Sequence, residues 1–122
     1  MSDKFALIIE DEEDLATIFS EALKAAGFET EIIYDGAIAK QRLHEVYPAI
    51  VVLDLNLPHV DGNQLLRQIR TDPRLHNTRV LVATADAGMA DMLDDEADLI
   101  LLKPISFVQL RTMAERMGLA IS

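Results

Sequence analysis

Short apolar runs alternate along this chain with longer segments whose apolar residues recur at helical spacing, and this alternation constrains the fold more than any other feature. An apolar run of a few residues predicts a strand buried on both faces, whereas a stripe at i, i+3, i+4 and i+7 predicts an amphipathic helix. In the segment Phe28–Ile33, the charged residues Glu29 and Glu31 alternate with the other side chains, as is typical of an exposed edge strand. The predicted strands are Ala6–Ile9, Phe28–Ile33, Ala49–Leu53, Val80–Ala83 and Leu99–Leu102.

The intervening segments are predicted as helices, and three of them are followed by a glycine or a proline that ends the helix. Gly27 follows the first and Pro48 the second. Asp86–Asp98 is predicted as a short helix and as the least stable one, because it holds six acids and no base. The other helices are predicted over Leu15–Ala26, Asp35–Tyr47 and Leu65–Ile69 before Asp72-Pro73, and last over Phe107–Met117. Five strands alternating with five helices predict a single α/β domain, (βα)5, with a parallel sheet.

Composition narrows the class of protein. The chain has 122 residues, is 50% hydrophobic and shows no linker or repeat, so we expect residues 1–122 to form one domain without an output domain in this chain. It has no cysteine, which excludes a thiol nucleophile and a zinc thiolate site. A net charge of -10 disfavours direct binding to nucleic acid or to anionic lipid. Without a signal peptide or a long apolar span, a soluble cytoplasmic protein is expected.

Acidic residues follow two of the predicted strands. Glu10-Asp11-Glu12 follows the first and Asp54 the third, and ligands of doubly wound sheets bind at this carboxyl edge. The three acids after the first strand could instead cap the next helix. However, two carboxylates about 4 Å apart at an effective dielectric of 20 repel by roughly 4 kcal/mol. If the acids after the first and third strands meet in one crevice, a bound cation is therefore needed to offset their repulsion. Few protein ligands, all of them oxygen, favour Mg²⁺ over Ca²⁺.

The last two predicted strands are followed by a hydroxyl and an ammonium group instead of carboxylates. Thr84-Ala85 follows the fourth strand and Lys103-Pro104 the fifth. A threonine or a lysine there is, by itself, usually a cap or a solvated residue. Together with the acids, a hydroxyl and an ammonium predict a site for a tetrahedral anion beside a metal, as in phosphoryl transfer. Asp54 is the carboxylate placed to act as the nucleophile and to become an aspartyl phosphate.

With these motifs in order, nearly the whole chain resembles the receiver domains of two-component response regulators. The matching segments are Leu7-Ile8-Ile9-Glu10-Asp11, Val51 to Pro58 with Asp61-Gly62, Ala83-Thr84-Ala85 and Leu101-Leu102-Lys103-Pro104. The resemblance implies a doubly wound, CheY-like sheet of order 2-1-3-4-5, and a cis Lys103-Pro104 bond.

The same resemblance implies roles for individual residues. Asp54 would be the phosphoacceptor, and Glu10, Asp11, Asp54 and the carbonyl of Asn56 would hold Mg²⁺. Thr84 and Lys103 would contact the phosphoryl oxygens. It also implies a sensor histidine kinase or histidine phosphotransfer protein as the phosphodonor, an unidentified downstream protein as the target, and a signalling domain that catalyses only its own modification.

Two features depart from the family pattern, and both fall on the last part of the sheet. Ile100 stands where many receivers carry Tyr or Phe, and the span from Thr84 to Lys103 is shorter than expected by roughly one helical turn. The alternatives are therefore a phosphorylation-independent, receiver-like scaffold, and an aspartate-nucleophile phosphatase of the haloacid dehalogenase type. The phosphatase family carries its nucleophile on the first strand, unlike Asp54.

The remaining candidates carry less weight. His44, His59 and His76 share no metal-ligand spacing and are expected at the surface. The methionines are expected to fill the core, with partner contact as the alternative for Met89 and Met92. A flavodoxin is excluded, because the loop after the first strand is acidic where a flavin phosphate needs donors.

Overall fold

A five-stranded parallel sheet with helices on both faces forms the protein. The computed structural model describes residues 4–88 and 96–121. The strand order is β2-β1-β3-β4-β5, the predicted order 2-1-3-4-5, and all neighbouring strands are parallel. The strands are β1 Phe5–Ile9, β2 Glu29–Ile33, β3 Ile50–Asp54, β4 Arg79–Thr84 and β5 Leu99–Leu102. The helices among the described residues are α1 Glu13–Ala25, α2 Gly36–Arg42, α3 Gly62–Thr71 and α4 Phe107–Ile121, with a single 3-10 turn at Pro73–Leu75.

The core has two layers because side chains alternate across each strand. In β3, Val51 and Leu53 pack against α2 and α3, whereas Ile50 and Val52 pack against α1 and α4. All five residues of β1 and all five of β3 are buried, as expected for central strands covered by helices on both faces. β2 is the partly exposed edge that its alternating sequence predicted.

The second helix differs from its predicted range. We expected it over Asp35–Tyr47, but α2 ends at Arg42, and the next turns are tightened by hydrogen bonds from the amides of His44 and Glu45 to carbonyls three residues back. The guanidinium of Arg74, from the turn after α3, donates to the carbonyls of Leu43 at 3.3 Å and Val46 at 3.1 Å. A distant side chain thus satisfies groups that a continued helix would have used.

Much of the predicted acidic helix, including Met89 and Met92, lies outside the described residues. The return from it to β5 is anchored by Arg70 of α3. Its Nη2 lies 2.7 Å from Asp98 Oδ2, and its Nε donates to the carbonyl of Glu96 at 2.7 Å. Asp98 also accepts from the amide of Val80 at 2.7 Å, so one carboxylate joins α3, β4 and the start of β5.

No helix in residues 4–88 and 96–121 combines the length and the hydrophobicity that crossing a bilayer requires.

Candidate functional site

The predicted site residues lie at one edge of the sheet, at the carboxyl ends of the strands β1, β3, β4 and β5. Register fixes this arrangement: Ile9 pairs with Leu53, Asp54 with Ala83, and Thr84 with Leu102. Glu10, Asp54, Thr84 and Lys103 thus each lie at the end of a strand or directly after it. They are brought together by the parallel order of the sheet, in which every strand ends at the same edge.

Three carboxylates converge at this edge. Glu10, Asp11 and Asp54 can each offer one oxygen such that all three atoms lie within 4.8 Å of one another. Glu10 is 1% exposed and Asp54 2% exposed, whereas Asp11 is exposed. Two buried acids and one at the mouth therefore share a site, and burial strengthens the repulsion between them.

Lys103 balances part of that charge. Its Nζ lies 3.1 Å from Glu10 Oε1 and 3.3 Å from Asp54 Oδ1, and the Lys103-Pro104 bond is cis, as predicted. Burial lowers the pKa of Lys103, but the charges of Asp54 and Glu10 outweigh burial and leave the pKa above its usual value. The ammonium is thus held in its charged form by the two acids.

Glu10 responds to the same surroundings in the opposite direction. Burial is the largest cause that raises the pKa of Glu10, and a hydrogen bond with Asp54 and its charge raise it further, to about 7. The amide of Glu12, 3.3 Å from Glu10 Oε2, and the Lys103 ammonium lower it only in part. One lysine therefore does not fully compensate the acids, and the cluster could hold a further cation.

Asn56 and Thr84 border the acids. The backbone N–H of Asn56 donates to Asp54 Oδ1 at 3.0 Å, which holds the central carboxylate in place. Thr84 is fully buried, and its Oγ1 accepts the N–H of Asp86 at 3.1 Å. Gly62 lets the start of α3 approach the backbone of Leu55 closely, because a Cβ at that position would lie 2.6 Å from the Cα of Leu55. These contacts were not foreseen from the sequence, since they depend on backbone groups.

The capping alternative for the acids after β1 is not what the structure shows. Glu12 occupies the N-cap of α1, but its side chain makes no capping hydrogen bond. The oxygens of Glu10 instead face Lys103 and the Glu12 amide. The donor set of carboxylate oxygens, two of them buried, fits a hard cation with oxygen ligands.

The structure also locates Ile100, which departs from the family pattern, and the three histidines. Ile100 is partly buried and packs against the core layer under α2 and α3, while Leu102 beside Thr84 is 48% exposed. The three histidines are exposed, as predicted: His44, His59 and His76.

Comparison with known proteins identifies the family. The family model of the response regulator receiver domain matches residues 6–115. The chain is 33% identical over 113 residues to the phosphate regulon transcriptional regulatory protein PhoB of Rhizobium meliloti, covering 90% of this chain and 50% of PhoB. It is 34% identical to the probable methanogenesis regulatory protein FilR2 of Methanothrix harundinacea, covering 89% of this chain and 77% of FilR2. The chain spans about half the length of several other curated relatives that it matches.

Solved structures agree with this assignment. The signal receiver domain of a signal transduction histidine kinase from Syntrophus aciditrophicus superimposes with a TM-score of 0.85 at 26% identity, covering 98% of this chain and 92% of that one. The family excludes the phosphatase alternative, since it is a signalling family and not a family of classical enzymes. By its family match, its relatives and its fold, the chain belongs to the response regulator receiver domains of two-component systems.

Proposed function

We propose that this domain accepts a phosphoryl group onto Asp54 and thereby changes the surface that it offers to a downstream protein. One observation carries the proposal: Asp54 is 2% exposed and lies in the acidic cluster with Glu10 and Asp11, and its Oδ1 is 3.3 Å from Lys103 Nζ. A carboxylate held between a cation-binding cluster and an ammonium suits nucleophilic attack on a phosphoryl group.

The proposed step is a transfer from a phosphohistidine. A carboxylate oxygen of Asp54 attacks phosphorus, the new O–P bond forms while the P–N bond breaks, and the imidazole leaves with the electron pair and regains a proton from solvent. The N–H of Asn56 orients the attacking carboxylate through its 3.0 Å hydrogen bond. Fixing the nucleophile in this way removes part of the entropic cost of the reaction.

Lys103 and Thr84 are the proposed contacts to the phosphoryl oxygens. Lys103 would exchange Glu10 and Asp54 for the more highly charged phosphoryl group, and its pKa, raised by those acids, keeps it protonated for that contact. Among the described residues the Thr84 hydroxyl oxygen accepts a hydrogen bond from Asp86, which leaves its proton available for a phosphoryl oxygen. These contacts favour the phosphorylated conformation only as far as they differ between the two states.

The proposed cofactor is Mg²⁺, held by Glu10, Asp11, Asp54 and the carbonyl of Asn56. When bound, the ion would offset the charge that develops on the transferring oxygens. The proposed phosphodonor is a sensor histidine kinase or a histidine phosphotransfer protein, in keeping with the family, and the proposed location is the cytoplasm. Direct contact with nucleic acid or membrane is not expected of a domain with a net charge of -10.

Intact mass tests the proposal. The protein is incubated with a small phosphodonor and Mg²⁺, and the parent should gain the mass of one phosphoryl group. Asp54→Asn should gain none, because an amide is not a nucleophile here, although its oxygen can still accept the N–H of Asn56. Glu12→Gln removes an exposed acid from the loop after β1, which also carries Glu10 and Asp11, and is the matched control, with a gain equal to the parent's.

A phosphoryl gain in Asp54→Asn equal to the parent's would contradict the assignment of the nucleophile. The scaffold alternative predicts no gain even in the parent. The conformational step is tested separately, by amide spectra with beryllofluoride as a phosphoryl mimic: Lys103→Ala should lose the shifts that the parent shows along β4 and β5.

A further inference from the structure

A groove of about 440 Å³ lies between α2 and α3, on the side of the sheet opposite α1 and α4. Leu65, which is buried, and Val60, which is partly buried, form its apolar floor, and polar side chains form its walls. Gln68 fixes the walls, because its Nε2 donates to the carbonyl of Lys40 at 2.9 Å and lies 3.4 Å from His44 Nε2. The full lining is Lys40, His44, Val60, Gln64, Leu65 and Gln68.

The lining contains no acid, which is unusual for this chain. The protein has 21 Asp and Glu against 11 Lys and Arg, yet positions 40–79 hold six of the bases, all three histidines and only four of the acids. The groove is therefore lined by residues from a stretch of the chain in which bases outnumber acids. On a protein of net charge -10, an anionic partner meets less repulsion from this stretch than from the rest of the chain taken together.

Two groups in the groove are available to a ligand. Lys40 is exposed, and its ammonium has no ion pair among the described residues, unlike Arg42, whose guanidinium is bonded to Glu31 at 2.8 Å. Gln64 is exposed, and its side-chain amide has no hydrogen bond within residues 4–88 and 96–121. A cation and an amide above an apolar floor suit a carboxylate followed by an apolar side chain.

We propose that this groove binds a short acidic segment of a partner protein, with carboxylates at Lys40 and Gln64 and one apolar side chain over Val60 and Leu65. Charge complementarity selects this occupant, because the lining offers no carboxylate and an ammonium that forms no ion pair with any residue the structure describes. The inference does not depend on phosphorylation of Asp54. Val60 nevertheless connects the two sites: it belongs to the loop that follows Asp54 and packs against Gly36 of α2, where a Cβ would lie 2.7 Å from that of Val60.

The probe is a capped peptide of glutamates with one central leucine, titrated into the nitrogen-labelled protein at low salt. Amide shifts should centre on Val60, Gln64 and Gln68, and binding should weaken as salt is added. Lys40→Glu should weaken binding about fivefold or more, because it turns an attraction into a repulsion. Gln64→Glu, which leaves Lys40 in place, should weaken binding in the same direction.

Lys24→Glu is the matched control, because Lys24 is an exposed lysine on α1 that lies 3.7 Å from Glu21. It changes the net charge by the same amount and should leave the affinity close to the parent's. Equal weakening by Lys24→Glu and Lys40→Glu would overturn the proposal, since it would show only a response to net charge. Shifts centred elsewhere, or equal binding of the same peptide with glutamines for glutamates, would overturn it as well.

Discussion

Replacing Lys103 by Met removes the ammonium from the acidic cluster and keeps most of the apolar stem of the side chain. In the parent, Nζ lies 3.1 Å from Glu10 Oε1 and 3.3 Å from Asp54 Oδ1. Without the ammonium, two buried carboxylates face each other with no cation among the described side chains. We therefore expect the metal-free variant to be less stable than the parent at neutral pH and above.

The magnitude follows from those two distances. At an effective dielectric of 20, each attraction is roughly 5 kcal/mol before solvation is counted. Lysine regains its hydration on unfolding, and Glu10 can escape the repulsion by taking up a proton, since its pKa is already raised to about 7. Removing one partner of a buried ion pair typically costs about 3–5 kcal/mol, and the partial exposure of Lys103 places the expected loss at about 2–4 kcal/mol.

Urea denaturation at about pH 8 with a chelator measures this loss in the free energy of unfolding. Added Mg²⁺ should restore more stability to Lys103→Met than to the parent, because the ion then has no ammonium to compete with. Lys24→Met, which removes an exposed lysine, should cost less than about 1 kcal/mol. The reasoning is refuted if Lys103→Met costs no more than Lys24→Met, or if Mg²⁺ stabilises the parent more than the variant.

Three further predictions concern single residues. Burial and, after it, Asp54 raise the pKa of Glu10 from 4.5 to about 7, so the folded protein binds a proton at Glu10 more tightly than the unfolded chain does. This proton stabilises the fold fully below pH 4.5, and the contribution is lost as the pH rises through 7. In urea denaturation without metal, the parent should therefore lose up to about 3 kcal/mol of unfolding free energy relative to Glu10→Gln between about pH 4.5 and 8. A difference between the two proteins that stays constant with pH would contradict this. Asp11→Asn should weaken Mg²⁺ binding about tenfold or more in calorimetry, and equal affinities would remove Asp11 from the site. Gly62→Ala should lower stability by about 1–3 kcal/mol, because the new Cβ would meet the Leu55 backbone; a thermal midpoint equal to the parent's would show that the loop can shift.

The sheet could be predicted because its signal is local. Each strand is a short apolar run, and the observed bounds differ from the predicted ones by one residue at most at either end. The end of α2 could not be predicted, because the carbonyls of Leu43 and Val46 just after the helix accept hydrogen bonds from Arg74, about thirty residues away. The anchoring of β5 by Arg70 and Asp98 was missed for the same reason, since ion pairs between distant segments leave no periodic pattern.

The residues of the candidate site could be predicted, but the contacts between their side chains could not. Parallel strands bring Glu10, Asp54, Thr84 and Lys103 to one edge once their order is known. The direct contact of Lys103 with Glu10 was not foreseen, because the sequence pattern relates Lys103 to a phosphoryl group and not to the acids. The raised pKa of Glu10 likewise depends on burial, which composition does not reveal.

The hydrogen bond between Lys103 and Glu10 joins residues 93 positions apart, from strands at the two ends of the chain. A ribosome therefore releases the acids of β1 and β3 well before the lysine that follows β5. Until that last strand docks, the nascent chain carries Glu10 and Asp54 without the ammonium that balances them, and the carboxylates repel one another. The pairing of Lys103 with Glu10 and Asp54 thus marks the docking of the last strand, and a chain that ends before β5 lacks the charge that balances the two acids.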